Sequence, residues 1–362
     1  MSLHSDELFS LFLDSFVGLE YKNKRKIADR FCGEEDPFLR LTEARAELVR
    51  TIGEKEANLL ISAAKTDYAE RTAEKLARLG IEIIPYFSPL YPMQLAETPA
   101  PPFLLYAKGN LSLLSSRFFG VVGSRRSLPA TKANAVKFTE ELIEHGFTVV
   151  TGIAEGADSA VLNAGLPYGK IVSVTAGGFD CVYPAVNRSL FDRVAECGLV
   201  LSEHPPELHP LAFHFPVRNR IIAGLSSGVL IVSGDEKSGT SYTAGYAADY
   251  GREVFAFPYG IGVPSGRGCN RLIKNGAYLT DRIEDILSVY GIERKKEKVV
   301  PLTDDERRIL ALVGEGVTHA ERIAEAMDMP VYEIIPVLLG LEIKRFLVRG
   351  AGNTYGVLKT PE

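Results

Sequence analysis

Apolar residues along this chain follow two rhythms, and the change between them divides it. Through residue 80 they recur at helical spacing, as in Leu8, Leu11, Phe12 and Phe16 and again in Leu59, Leu60 and Ala63. Polar residues fill the gaps, which predicts a front of short helices over residues 1–80. From Ile81 onward, short apolar runs stand at 103–106, 119–122, 148–150, 171–174, 199–201, 229–232 and 254–257. Amphipathic stretches such as 130–145, 187–197 and 240–250 lie between them. Continuous apolar strands alternating with helices mean βαβ units and a parallel sheet covered on both faces. The expected fold class is α/β, a Rossmann-like and mostly parallel sheet over residues 81–292, entered through the proline-rich segment 98–102.

The charged stretch from Glu293 to Lys298 has no apolar periodicity and reads as a linker over 293–300. Beyond it the helical rhythm returns. Thr303 with Glu306, and Thr318 with Glu321, match the capping-box pattern ahead of apolar helices. A third helix opens near Pro330, and residues 346–358 read as a hairpin turning at 350–353. Three short helices and a hairpin predict a winged helix over 301–362.

Composition narrows the setting without naming a function. Hydrophobic residues at 46% and charged residues at 24% are ordinary for a globular chain. The apolar runs are strand-length, far short of a bilayer span. The opening MSLHSDELFS lacks the basic start and apolar stretch of a signal peptide, so a cytoplasmic location is expected. Cys32, Cys181, Cys197 and Cys269 form no CxxC pair and are expected to be reduced thiols. The net charge of −5 does not exclude a polyanion, because phosphates respond to charge within a Debye length of roughly 8 Å at physiological salt. The basic run Lys22 to Lys26 reads as a solvated helix face.

In an open parallel sheet, ligands bind beyond the carboxyl ends of the strands, where loops lead into helix N-termini. After the 119–122 strand come Gly123, Ser124, Arg125 and Arg126. They offer a tight turn, a hydroxyl and guanidinium forks suited to phosphate, ahead of a helix with free N–H groups. Three more glycine-bearing loops follow other strands: Thr151 to Asp158, Ala176 to Asp180 with Gly177, and Ser238, Gly239 and Thr240 opening a helix. The segment Phe215 to Gly224 adds Arg218, Asn219 and Arg220 immediately before an apolar stretch. The two arginines are expected to stay out of the core and line the same rim as Arg125, with Phe215 as a stacking face. Aromatic faces beside a cationic track hold single strands without sequence readout.

Evidence for catalysis is thin. The chain has no GxxxxGK[ST] and no HExxH, and no GxGxxG follows the 119–122 strand. His204, His209 and His214 match no zinc spacing, and Asp158 and Asp180 read as carboxylates that hold backbone N–H groups. No catalytic residue, cofactor or metal is therefore assigned.

These same residues resemble the DprA/Smf family. The resemblance rests on Gly123-Ser124-Arg125, Thr151-Gly152 with Gly156-Ala157-Asp158, and Gly177-Gly178-Phe179-Asp180. It continues through Tyr183-Pro184 with Asn187, Ser202-Glu203 with Pro205-Pro206, Phe215-Pro216 with Arg218 to Ser226, and Ser238-Gly239-Thr240. Gly251 to Phe255 and Gly268-Cys269-Asn270 with Leu272-Ile273 complete it, in family order across roughly residues 85 to 290. The chain departs from the family at Leu162, where a histidine is usual, and at Thr175 to Phe179, in place of a Leu-Gly turn. The resemblance implies a homodimer that binds single-stranded DNA and loads the RecA recombinase during natural transformation. It also implies that Ser124, Arg125, Arg218, Asn219, Arg220, Ser238 and Gly239 face the strand.

Two further points come from residues alone. Residues 300–362 carry seven Lys/Arg against ten Asp/Glu, a net of −3, and the helix expected over 331–342 has no basic residue and contains Pro336. Groove-reading helices need cationic and amide side chains, so this tail is expected to contact protein rather than duplex DNA. The alternative function is a nucleotide-binding or nucleotide-phosphoribohydrolase-like enzyme using the same cleft. Such enzymes use a glutamate that ends the Gly-Gly-x-Gly-Thr loop, whereas here the loop from Lys237 ends in Thr243. A hydroxyl is no substitute for a carboxylate in acid–base work near neutral pH.

Overall fold

The computed structural model describes residues 3–16, 18–236, 238–294, 302–344, 346–350 and 352–357. The chain divides into two compact units, Met1–Arg294 and Lys295–Glu362. From residue 295 the expected linker lies outside the described residues.

The first unit opens with six helices: α1 (Ser5–Asp14), α2 (Tyr21–Phe31), α3 (Pro37–Glu43), α4 (Arg45–Ile52), α5 (Glu54–Ala63) and α6 (Tyr68–Arg78). The sheet begins with β1 (Glu82–Pro85), the one-turn α7 (Met93–Ala96), β2 (Leu104–Gly109) and β3 (Phe118–Val122). It continues through α8 (Pro129–Glu144), β4 (Thr148–Thr151), α9 (Ala157–Gly165), β5 (Ile171–Val174), α10 (Arg188–Cys197) and β6 (Leu199–Ser202). Then come α11 (His214–Leu225), β7 (Ser226–Ile231), α12 (Gly239–Asp249), β8 (Glu253–Ala256), α13 (Arg267–Lys274), β9 (Tyr278–Leu279) and α14 (Glu284–Leu287).

The nine strands lie in the order β1-β2-β6-β5-β4-β3-β7-β8-β9. All neighbours from β6 to β9 pair in parallel, while β2 runs antiparallel to both β1 and β6. The connection from β1 to β2 carries only α7 and the proline-rich segment, with no sheet-covering crossover helix, so β2 returns antiparallel.

Alternate strand residues fill two cores. Phe119 and Val121 of β3 face one cluster, with Phe138 and Leu142 of α8 and Phe191 of α10. Phe118 and Val122 face the other, with Ile221 and Leu225 of α11 and Ala244 and Ala247 of α12. The front helices are not separate from this arrangement: Phe9, Phe12 and Phe31 belong to the same cluster as Tyr106 and Phe119. The Tyr106 hydroxyl donates to Asp14 at 3.0 Å, tying β2 to α1. Residues 1–80 thus share the core of the sheet instead of closing one of their own.

The second unit holds α15 (Asp304–Gly314), α16 (Ala320–Met327), α17 (Val331–Ile343) and the hairpin β10 (Leu347–Arg349) with β11 (Tyr355–Val357). Thr303 and Glu306 form the expected capping box, and Lys344 donates to both Glu306 oxygens at 2.7 and 2.8 Å. The second expected box does not form. The residue capping α16 is His319, which bridges to Thr354, and the Thr318 carbonyl accepts from Tyr355 N–H at 2.8 Å. Strand pairing with the hairpin has taken Thr318 away from the helix.

Candidate nucleic-acid interface

Strand order reverses beside β3: β4 and β5 extend to one side of it and β7 lies on the other. Loops leaving β3 and β7 diverge there and open a crevice, the usual ligand position in a doubly wound sheet. The cleft measures about 330 Å³. Gly123, Ser124, Arg125, Phe215, Arg218, Asn219, Ser238, Gly239 and Thr240 line it, as do Asp158 and Thr243.

The β3 loop is locked by close approach. A Cβ on Gly123 would stand 2.5 Å from both the Ala157 Cβ and the Val232 Cγ2, so only glycine fits. Gly156 has φ +85°, and a side chain there would strike the carbonyls of Ser124 and Arg125. Ser124 N–H donates to the Ser233 hydroxyl at 3.0 Å, and the Ser127 hydroxyl donates to the Ser124 carbonyl at 2.8 Å. The backbone under Arg125 is therefore fixed while its side chain remains exposed.

That exposed guanidinium sits against two rings. Its central carbon lies 5.3 Å from the Phe215 ring and 5.9 Å from the Tyr183 ring. The two rings meet edge to face at 5.6 Å. Cation and rings together present a flat, polarisable surface beside a positive charge. Tyr183 is half exposed and was not among the expected site residues.

The opposite wall is the start of α12. Its first N–H groups have no intrahelical acceptors, and the positive end of the helix dipole points into the cleft. Asn219 steadies this wall by donating to the Gly239 carbonyl at 3.1 Å. The Ser238 and Thr240 hydroxyls bond each other at 2.6 Å. Thr243 lies one turn deeper, its hydroxyl buried and without a hydrogen-bond partner.

Arg218 and Arg220 are not solvated. Arg218 is 7% exposed, donates to the Val174 carbonyl, and donates through Nε to Asn219 at 3.1 Å. Its guanidinium lies beside the buried Asp158, both filling the space left by Gly152. Asp158 also accepts from Ala154 N–H at 3.3 Å. Burial lowers the Arg218 pKa to about 10, opposed by the Asp158 charge, and nearby Arg125 adds to the lowering. Burial likewise raises the Asp158 carboxyl against the pull of Arg218. At neutral pH Arg218 stays a cation, under the cleft rather than on its rim. Arg220 turns away and pairs with Glu203, with 13% of its side chain exposed.

The physical reason for the burial of Arg218 is helical phase. Positions 218, 221, 222 and 225 share one face of α11, the face that enters the core. Like Arg220, two more expected residues lie outside the cleft. Arg126 is exposed but is not part of its lining. Gly177 is buried; a Cβ there would meet the Leu208 carbonyl at 2.9 Å, and its own carbonyl accepts from Thr175 and Ser202. It is a packing glycine. Among the described residues no group of three or more His, Cys, Asp or Glu stands where it could hold a metal ion. None of their helices is long and apolar enough to cross a membrane.

Fold and cleft define a Rossmann-like protein with a cationic, ring-flanked cleft at its switch point, followed along the chain by a winged helix. The family model for DNA recombination-mediator protein A matches residues 82–291, and that for the DprA winged helix domain matches residues 293–353. The chain belongs to the DprA/Smf family. It is 43% identical over 209 residues to the DNA processing protein DprA of Bacillus subtilis, covering 57% of this chain and 70% of that one. It is 35% identical over 284 residues to the protein Smf of Escherichia coli, covering 75% and 76%. The solved structure of DprA from Streptococcus pneumoniae superposes with a TM-score of 0.67 at 32% identity, over 80% of this chain and 98% of that one. A Helicobacter pylori DNA processing protein A, described for its single-stranded DNA binding mode, superposes with a TM-score of 0.53 at 27% identity, over 58% and 95%.

Proposed function

We propose that this protein binds single-stranded DNA in the β3/β7 cleft and performs no chemistry on it. The observation that carries this reading is the Arg125 guanidinium set against the Phe215 and Tyr183 rings at the mouth of a cleft walled by the α12 N-terminus. A phosphate takes the helix N–H groups, Ser124 and Arg125, while a base stacks on the exposed ring faces. Asn219, Ser238, Gly239 and Thr240 hold the far wall, and Arg218 supplies its charge from beneath. The Asp158 carboxylate beside Arg218 positions that arginine, and among the described residues that line the cleft there is no other carboxylate and no histidine to act as acid or base.

The wider role follows from the family. We infer that the chain acts as a homodimer in the cytoplasm, presenting the strand to the RecA recombinase during DNA uptake and recombination. Membership in a family described as recombination mediators supports this, as does the strand-binding relative from Helicobacter pylori. The winged-helix tail serves a protein contact in this scheme.

The test is fluorescence anisotropy of a labelled oligo-dT with wild type and Arg125→Ala across a salt series. Removing one phosphate contact flattens the log–log salt slope by about 0.7. A protein that ignores single strands but takes up a mononucleotide would shift the reading to the enzyme-like alternative.

A further inference from the structure

A second cleft, of about 550 Å³, opens in the same unit where the front helices meet the end of β6. Its volume falls in the range of small-ligand sites, ~300–1,000 Å³. Its charges cancel in pairs. Asp14 holds Lys24 at 3.1 Å, Lys75 holds Glu207, and Glu203 at the cleft wall is held by Arg220. Such a cleft offers no net field to a phosphate and suits an uncharged ligand.

Rings line it. The His204 ring lies 4.7 Å from that of His214, tilted by 34°, and the His214 ring lies 4.3 Å from that of Phe213. His214 Nδ1 accepts from Leu211 N–H at 3.1 Å, which leaves its proton on Nε2 as a donor. Burial lowers the His204 pKa to about 4, helped by His214, so the ring is neutral near pH 7. Tyr68 stands at the mouth, 44% exposed.

The two clefts adjoin through consecutive residues. His214 and Phe215 open α11; Phe215 lies in the cationic cleft and His214 in the neutral one. The Phe215 ring meets that of Tyr183, while the ring of its chain neighbour His214 meets those of His204 and the exposed Phe213, so one helix start carries a ring into each cleft. We propose that the neutral cleft is a nucleobase subsite, taking a base from the strand whose phosphate occupies the cationic cleft. This rests on the single-strand reading above. The chemistry matches: a base is planar, uncharged and edged with donors and acceptors, and imidazole faces and edges answer both features.

The experiment uses the full chain and oligo-dT in which one thymidine at a time is replaced by 5-iodo-deoxyuridine, photocross-linked and mapped by mass spectrometry. Expected are cross-links to Tyr68, His204 or His214 from positions near those that mark Tyr183 or Phe215. Thr72→Trp, on the wall of the cleft, fills it without touching the cationic site. It should weaken oligo-dT binding by about five-fold or more, the low end for losing one stacked base, with the salt slope unchanged. Cross-links confined to Tyr183, Phe213 and Phe215, with Thr72→Trp binding like wild type, would overturn the subsite and leave the single-strand reading standing. Labelling of the cleft by free 5-iodo-deoxyuridine but not by the oligonucleotide would also overturn it. Absence of any single-strand binding would remove both.

Discussion

The cleft beside β3 lies where doubly wound sheets take their ligands, and α17 lies where a winged helix carries its recognition helix, yet their chemistry is opposite. The cleft sets an exposed cation against two rings, above a second, buried cation. On α17 the outward residues are Tyr332, Ile335, Leu339 and Ile343, between 48% and 74% exposed. Glu333 and Glu342 are the charged residues of that helix, and it has no Lys or Arg. A duplex groove would bring phosphates against those carboxylates with nothing to neutralise them. A recognition helix by position is thus a different surface by composition, and function has to be argued from the residues a fold carries.

Arg218→Ala probes the buried half of the cleft and should have the largest effect. It removes the cation near the buried Asp158 and the donor to the Val174 carbonyl, a loss of about 1.5–3 kcal/mol in urea unfolding. Adding Asp158→Asn should recover part of that loss. A stable Arg218→Ala protein that merely binds DNA poorly would make the buried cation a ligand group instead of a structural one. Phe215→Ala should leave stability within about 0.5 kcal/mol and reduce oligo-dT affinity by about 1–3 kcal/mol, read by anisotropy.

Effects on the winged-helix side should be smaller. A chain ending at Arg294, which keeps the first unit whole, should bind duplex DNA within about two-fold of the full protein, well inside one phosphate contact's share. Losing most duplex affinity would erase the contrast between the two surfaces. Ile335→Lys with Leu339→Lys should change the thermal stability of the full chain by no more than about 0.5 kcal/mol each, since both side chains lie in solvent. A larger drop would mean that this face is covered.

The sheet was legible because its central strands are short and mostly apolar, as in Phe118–Val122 and Ile171–Val174, and are separated by helix-length segments. The edge elements were not. Strand β9 is two residues long with both side chains exposed, and β1 owes its place to pairing with a strand twenty residues away. Within the site, Gly123, Ser124, Arg125 and the α12 start could be read locally, because turn glycines and helix starts are local signals. The burial of Arg218 carried a signal too, its helical phase with Ile221, Ile222 and Leu225. That signal competed with a general preference for solvated arginines. Tyr183 could not have been found this way: its meeting with Phe215 spans thirty-two residues and depends on how two loops fold back.

The strand order also sets a timetable for synthesis. Strands β3, β4 and β5 are sheet neighbours in chain order and can pair as soon as they leave the ribosome. Strand β7 adds to the other side of β3 only after β6 and α11 have been made. Until then Ser124 N–H has no Ser233 hydroxyl to meet, and the cleft has no far wall. That wall is complete only when Thr243 has emerged. A nascent chain therefore carries Arg125 for more than a hundred residues of elongation before the cleft has both of its walls.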